Sequence, residues 1–295
     1  MKRVGNLDIQ HIKLLYDQVP PDRLEEFQAF RRDFPTNDVT LDGVAWSYLT
    51  GGEGEPPVLL LSGALAVPDI SYGTIMGLAA HRRVIAPAYP PVKTMDALVD
   101  GIATLLRRDG IEQVDVVGGS YGGMVAQVLV RRHPDLVRAL VLSHTRSPYL
   151  ESAVRLRRFN RVLRWLPMGM LRQMMRRAFG SMIPERTDET ACLIAIYNEL
   201  LTFTLGRKDS LAILERAADY EARSFAPEDL ASWPGRVLLV FGDNDPATPA
   251  EARERMVALY PRCEVKLFEG TGHTTSVTRR DEYLATIVGF LEDVR

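Results

Sequence analysis

The chain has 295 residues, 36 Lys and Arg against 38 Asp and Glu, a formal charge of −2 and 46% hydrophobic residues. These values exclude a disordered or collagen-like chain and give no global argument for nucleic-acid binding. Two cysteines, Cys192 and Cys263, are too few for a disulfide framework. No run reaches the ~18–20 apolar residues of a transmembrane helix, and the N-terminus lacks the apolar stretch of a signal peptide. A soluble cytoplasmic protein is therefore expected.

Residues 1–36 read as a helical extension. Ile9, Ile12, Leu15 and Val19 recur at helical spacing, Pro20 and Pro21 interrupt them, and Leu24, Phe27 and Phe30 resume the pattern. This segment is expected to lie as an arm on the helical insertion at 147–233 or on the second subunit of a homodimer. The pattern then changes. Strands are expected at 44–49, 58–61, 84–85, 114–117, 139–142, 237–241 and 265–268, where short apolar runs suit a sheet buried on both faces. Helical periodicity alternates with them at 95–106, 123–132, 251–259 and 281–291. Such alternation predicts a doubly wound, mostly parallel α/β sheet spanning 37–146 and 234–295. Between these parts, 147–233 reads as all-helical, with helices at 154–166, 168–179, 188–203 and 210–221. A helical insertion between two strands is expected to cap the C-terminal strand ends, where open α/β sheets place ligands.

The sharpest local signal is Val116-Val-Gly-Gly-Ser-Tyr-Gly-Gly-Met124. It places Gly118-x-Ser120-x-Gly122 directly after a strand and before a helix, the context a nucleophile elbow requires. Gly118 and Gly122 leave room beside a strained serine, and Gly123 lets the helix approach the strand. A dinucleotide-binding G-x-G-x-x-G is excluded, because the third position of the pattern, its second glycine, is Ser120.

A serine nucleophile needs a base, and the base needs an orienting acid, in the chain order Ser, Asp, His. Asp245 follows the 237–241 strand and His273 follows the 265–268 strand, so both lie at the same sheet end as Ser120. Asp243 is the fallback acid, its other role being that of a turn aspartate. One oxyanion donor is expected from the N–H of Tyr121 and the other from Ala64, with Leu65 as the alternative. Substrate contacts are expected from Leu65 and His144, and from Trp165 and Met174 lining an apolar acyl pocket. No zinc-spaced Cys or His cluster, phosphate loop or RNA-binding signature is present, so neither a metal nor nucleic acid is expected.

Together Gly118-x-Ser120-x-Gly122-Gly123, Gly242-x-x-Asp245-x-x-x-Pro249 and Gly272-His273 resemble the α/β-hydrolase superfamily over roughly 38–295. The resemblance implies a Ser–Asp–His hydrolase with a helical cap, no cofactor and a small acyl substrate. A carboxylic ester is the first expectation; thioesters, lactones, amides and carbon–carbon bonds are cleaved by the same constellation. The chain departs from the superfamily pattern at Ser62-Gly63, where His-Gly is common, and at Ala88-Tyr-Pro-Pro91, where Asp-x-x-Gly is common. Val84-Ile-Ala-Pro-Ala-Tyr-Pro90 and Trp165-Leu-Pro-Met-Gly-Met-Leu171 look like maspardin-type proteins, which implies a non-catalytic adaptor as the alternative function.

The small net charge conceals a polarity. Residues 146–186 hold ten arginines against Glu151 and Glu185, a net +8 that leaves −10 for the remainder. A solvated outer cap face accounts for this; attraction of an anionic substrate, an acidic partner or a membrane surface are the functional alternatives. Leu156, Phe159, Leu163 and Leu166 are expected to form the inward stripe of the first cap helix.

Overall fold

A computed structural model describes residues 14–63, 65–183 and 187–294. Helix α1 (Pro21–Asp33) leads into the antiparallel pair β1 (Thr36–Leu41) and β2 (Val44–Gly51). Strand β3 (Val58–Leu61) is followed by α2 (Tyr72–Ala79), β4 (Val84–Ala88), α3 (Met95–Arg108), β5 (Val114–Gly119), α4 (Tyr121–Arg132) and β6 (Val137–Ser143). The chain then leaves the sheet for α5 (Leu150–Leu163), α6 (Met168–Ser181), α7 (Asp188–Glu199) and α8 (Arg207–Glu221). It returns at β7 (Arg236–Gly242) and ends with α9 (Ala250–Leu259), β8 (Glu264–Phe268), α10 (Thr275–Thr278) and α11 (Arg280–Glu292).

The eight strands lie in the order β1-β2-β4-β3-β5-β6-β7-β8, all parallel from β4 to β8 and with β2 antiparallel to both neighbours. This is the α/β-hydrolase fold. Every residue of β3 and β4 is buried, as are Val114–Gly118 of β5, which is why these strands read as unbroken apolar runs. The order of strands reverses at β3, since the chain moves outward to β4 and then back across to β5. At such a reversal the loops leaving the two strands diverge and open a crevice at their C-terminal ends. The loops after β3 and β5 are the ones that carry Gly63 and Ser120.

The leading segment is part of the packed body. Phe27 and Phe30 are fully buried, and Tyr16, Phe27, Phe30, Phe34 and Tyr72 form one aromatic cluster. Arg23 of α1 donates to Glu189 of α7, so this arm lies on the chain's own helical insertion. Residues 1–13, including Ile9, Ile12 and His11, fall outside the described residues. Strand β1 begins at Thr36, inside the segment expected to be helical.

The inward stripe of α5 differs from expectation. Ala153, Asn160 and Leu163 are buried, whereas Phe159 is exposed. Asn160 sits in the interior with its Nδ2 donating to the carbonyl of Leu214 in α8 at 2.7 Å, which satisfies the N–H side of its amide.

Candidate active site

Ser120 sits between β5 and α4 with φ 52° and ψ −119°, a left-handed backbone that a non-glycine residue adopts only under constraint. The constraint is visible in its neighbours. Its N–H donates to the carbonyl of Ser143 at the end of β6, at 2.8 Å. A Cβ added at Gly122 would stand 1.9 Å from the Leu61 carbonyl oxygen, and one at Gly118 would stand 2.6 Å from the Gly122 carbonyl. At Gly123 a Cβ would meet the Thr145 side chain at 2.6 Å. The glycines therefore allow α4 to start directly against β3 and the segment after β6.

The structure brings Ser120, His273 and Asp245 together. His273 Nε2 lies 2.9 Å from Ser120 Oγ, and His273 Nδ1 lies 2.9 Å from Asp245 Oδ2. Asp245 is buried and also accepts from the Ala247 N–H and the Thr248 hydroxyl, each at 2.8 Å. Burial disfavours its charge, but the hydrogen bonds from His273, Ala247 and Thr248 and the His273 charge outweigh burial, and its pKa is lowered. Asp243, by contrast, is exposed and accepts from the Thr271 N–H at 3.2 Å, as a turn aspartate does.

Tyr121 is the first residue of α4, so its N–H has no acceptor four residues back in the helix. Its side chain points into the core, where the hydroxyl accepts from Arg216 Nε of α8 at 2.7 Å. Arg216 also donates to the carbonyls of Pro90 and Val92, which joins the insertion to the elbow and to the loop after β4. Ala64 lies outside the described residues. The adjacent Gly63 passes close to the nucleophile, a Cβ there standing 3.9 Å from Ser120 Cβ.

The expected substrate contacts lie in different settings. Leu65 is sealed in the core. His144 is buried, with Nδ1 2.8 Å from Ser143 Oγ and Nε2 2.9 Å from Thr275 Oγ1, so neither ring nitrogen faces a ligand. Trp165 is 82% exposed at the turn between α5 and α6, which is not the enclosure an acyl pocket provides. Met174 is half-buried on α6. Sequence reasoning missed Thr248, Thr275 and Arg216. Small hydroxyl residues in loops and one arginine among many carry no local signature. Among the described residues, no group of three or more His, Cys, Asp or Glu could hold a metal ion, and no helix is long and apolar enough to cross a membrane.

A strained serine on a strand-to-helix turn, backed by a histidine and a buried carboxylate on an eight-stranded sheet, defines a class. The model of the Alpha/beta hydrolase family matches residues 21–286, and the chain belongs to that family. It is 26% identical over 265 residues to the 2-hydroxymuconate semialdehyde hydrolase of Pseudomonas putida, covering 82% of this chain and 89% of that protein. An sn-1-specific diacylglycerol lipase of Xenopus laevis is 23% identical over 257 residues, covering 80% of each. Among solved structures, a thermophilic esterase from Thermogutta terrifontis superimposes with a TM-score of 0.71 at 22% identity, over 88% of this chain and 99% of that one. That likeness shows the shared fold.

Proposed function

We propose that the protein is a serine hydrolase that cleaves a carboxylic ester through an acyl-enzyme. The observation that carries this reading is the continuous hydrogen-bonded path from Ser120 through His273 to Asp245, at 2.9 Å for each step. As Ser120 Oγ attacks the carbonyl carbon, its proton passes to His273 Nε2. Asp245, held by Ala247 and Thr248, fixes the tautomer that leaves Nε2 free to accept and stabilises the imidazolium that forms. The carbonyl oxygen becomes an oxyanion, bound by the N–H of Tyr121 at the start of α4 and by the N–H assigned from the sequence to Ala64. Collapse breaks the ester C–O bond, and the alcohol leaves with the proton from His273. Water then attacks the acyl carbon with His273 again as base, releasing the carboxylate and restoring Ser120. Helices α5–α8 would form the cap over this site, with Met174 on the acyl side.

A second reading is supported by the Pseudomonas putida relative: hydrolysis of a carbon–carbon bond beside a ketone on the same residues. Rates on p-nitrophenyl esters of increasing chain length, set against 2-hydroxymuconate semialdehyde, separate the two. For the shared serine chemistry, a fluorophosphonate probe with intact-mass readout is expected to add once to the wild type and not to Ser120→Ala. No adduct on the wild type, or equal adducts on both, overturns it and favours the adaptor function.

A further inference from the structure

Helix α5 presents two faces. The face carrying Ala153, Asn160 and Leu163 packs against α8. The opposite face carries Leu150, Val154, Val162 and Trp165, which are 65%, 49%, 59% and 82% exposed. Their spacing of three, four and eight residues keeps them along one side of the helix and into the turn that follows it. Large apolar side chains scattered singly need no explanation, but a row of four on one helix does.

The same face carries Arg155 and Arg158, both exposed and with no ion pair among the described residues, whereas Arg161 lies at its edge and lines a pocket with Glu215 and Asp219 of α8. Glu151, in the first turn, is the one acid on α5. Apolar tips thus alternate with uncompensated guanidinium groups.

We propose that this outer face of α5 docks the protein on an anionic lipid bilayer. The chemistry selects this occupant over the others. A second copy of the chain would bring two arginine rows together, and their repulsion opposes a symmetric dimer here. An acidic polypeptide would pair with the arginines but would leave Trp165 and Val162 in water. At a bilayer surface both needs are met at once. Trp165 and the aliphatic side chains enter the boundary between headgroups and acyl chains, while the arginines reach the phosphates. The surface lies on the side of α5 turned away from α8, so docking stands or falls independently of the chemistry proposed for Ser120.

The test uses the full-length chain and vesicles of equimolar phosphatidylglycerol and phosphatidylcholine, with phosphatidylcholine alone as the comparison. Of the three tryptophans, Trp46 and Trp233 are buried and Trp165 is exposed, so the wild-type emission reports α5 without any substitution. Anionic vesicles are expected to sediment the protein, shift the emission to shorter wavelength and protect it from aqueous quencher; high salt is expected to reverse this. Arg155→Gln with Arg158→Gln is expected to weaken binding by about twenty-five-fold, at about fivefold per charge. Trp165→Ser is expected to weaken it by about tenfold. Equal sedimentation with both vesicle types overturns the proposal, as does an unchanged emission at saturating anionic vesicles. Retention on polyglutamate without vesicle binding would overturn it in favour of an acidic protein partner. Because the emission and salt experiments use the unaltered chain, a misfolded variant leaves the test intact.

Discussion

His144 packs edge-on against His273, their ring centroids 5.8 Å apart and their planes at 85°. Like Ser120, His144 has a left-handed backbone, at φ 50°. Its Nε2 meets Thr275 Oγ1, which in turn lies 2.9 Å from Thr271 Oγ1 and 3.0 Å from the Gly272 carbonyl oxygen. The second histidine is thereby tied to the loop that delivers the first. Burial, followed by repulsion from the His273 charge, pushes the His144 pKa down to about 4, so it supports His273 as a neutral ring.

This shift has a consequence for acid stability. A base whose folded pKa is depressed binds fewer protons folded than unfolded, so its contribution is complete above about pH 6.5 and is lost as pH falls toward about 4. Between about pH 7 and about pH 5 the loss is on the order of 2 kcal/mol. The lowered pKa of Asp245 acts in the same direction at lower pH. His144→Asn removes the titration and tolerates the left-handed backbone. Urea unfolding at the two pH values should show a shallower pH dependence in the variant. An unchanged slope would mean that His144 titrates normally in the fold.

The two candidate acids are separated by substitution. Asp245→Asn leaves the side chain in place but offers His273 Nδ1 an amide that does not enforce the required tautomer. Its kcat should fall by about 10³–10⁴. Asp243→Asn can still accept from the Thr271 N–H and should retain the wild-type rate. Steady-state kinetics on one activated ester decide the matter, and the reverse ranking would falsify the assignment.

The sheet and the strand-end loops were legible because each buried strand is an unbroken apolar run and the serine and its glycines stand together within six residues, Gly118 to Gly123. Helix α2 left no such trace. Its sequence Tyr-Gly-Thr-Ile-Met-Gly-Leu-Ala shows no polar face, and Gly73 and Gly77 argue locally against a helix. Their reason is distant: a Cβ at Gly77 would stand 2.3 Å from a Leu284 methyl, and one at Gly73 would stand 3.0 Å from Arg280. Asn160 on α5 and the contacts of His144 with Thr275 and His273 were hidden for the same reason, since each depends on a partner more than fifty residues away.

The elbow glycines should tolerate no added methyl group. At Gly122 the obstructing atoms are the backbone carbonyls of Leu61 and Ser62, which cannot turn aside as a side chain can. Gly122→Ala should cost at least about 3 kcal/mol and displace the loop after β3. Gly289 in α11 has nothing within 4 Å of an added Cβ, so Gly289→Ala should stabilise by about 0.5–1 kcal/mol. Thermal unfolding of the pair tests whether close approach, rather than glycine itself, is the requirement.

Arg31 of α1 holds three parts of the chain at one point. Its Nε donates to Asp69 in the turn before α2 at 3.0 Å, and its Nη2 lies 2.8 Å from Glu199 at the end of α7. Asp69 and Glu199 are both buried, and the Tyr16 hydroxyl also donates to Glu199. Burial and the neighbouring Glu199 raise the pKa of Tyr16, so it remains a donor at any ordinary pH. Removing one partner of a buried pair leaves the other charge desolvated, whereas losing a single neutral donor costs less. Glu199→Ala should therefore destabilise by about 3–5 kcal/mol and Tyr16→Phe by about 1 kcal/mol. In a double-mutant cycle, Arg31→Met with Glu199→Ala should cost less than the two single changes added together, because the shared interaction is then lost only once. Strict additivity, measured by chemical unfolding, would show that α1 does not hold the insertion through this charge pair.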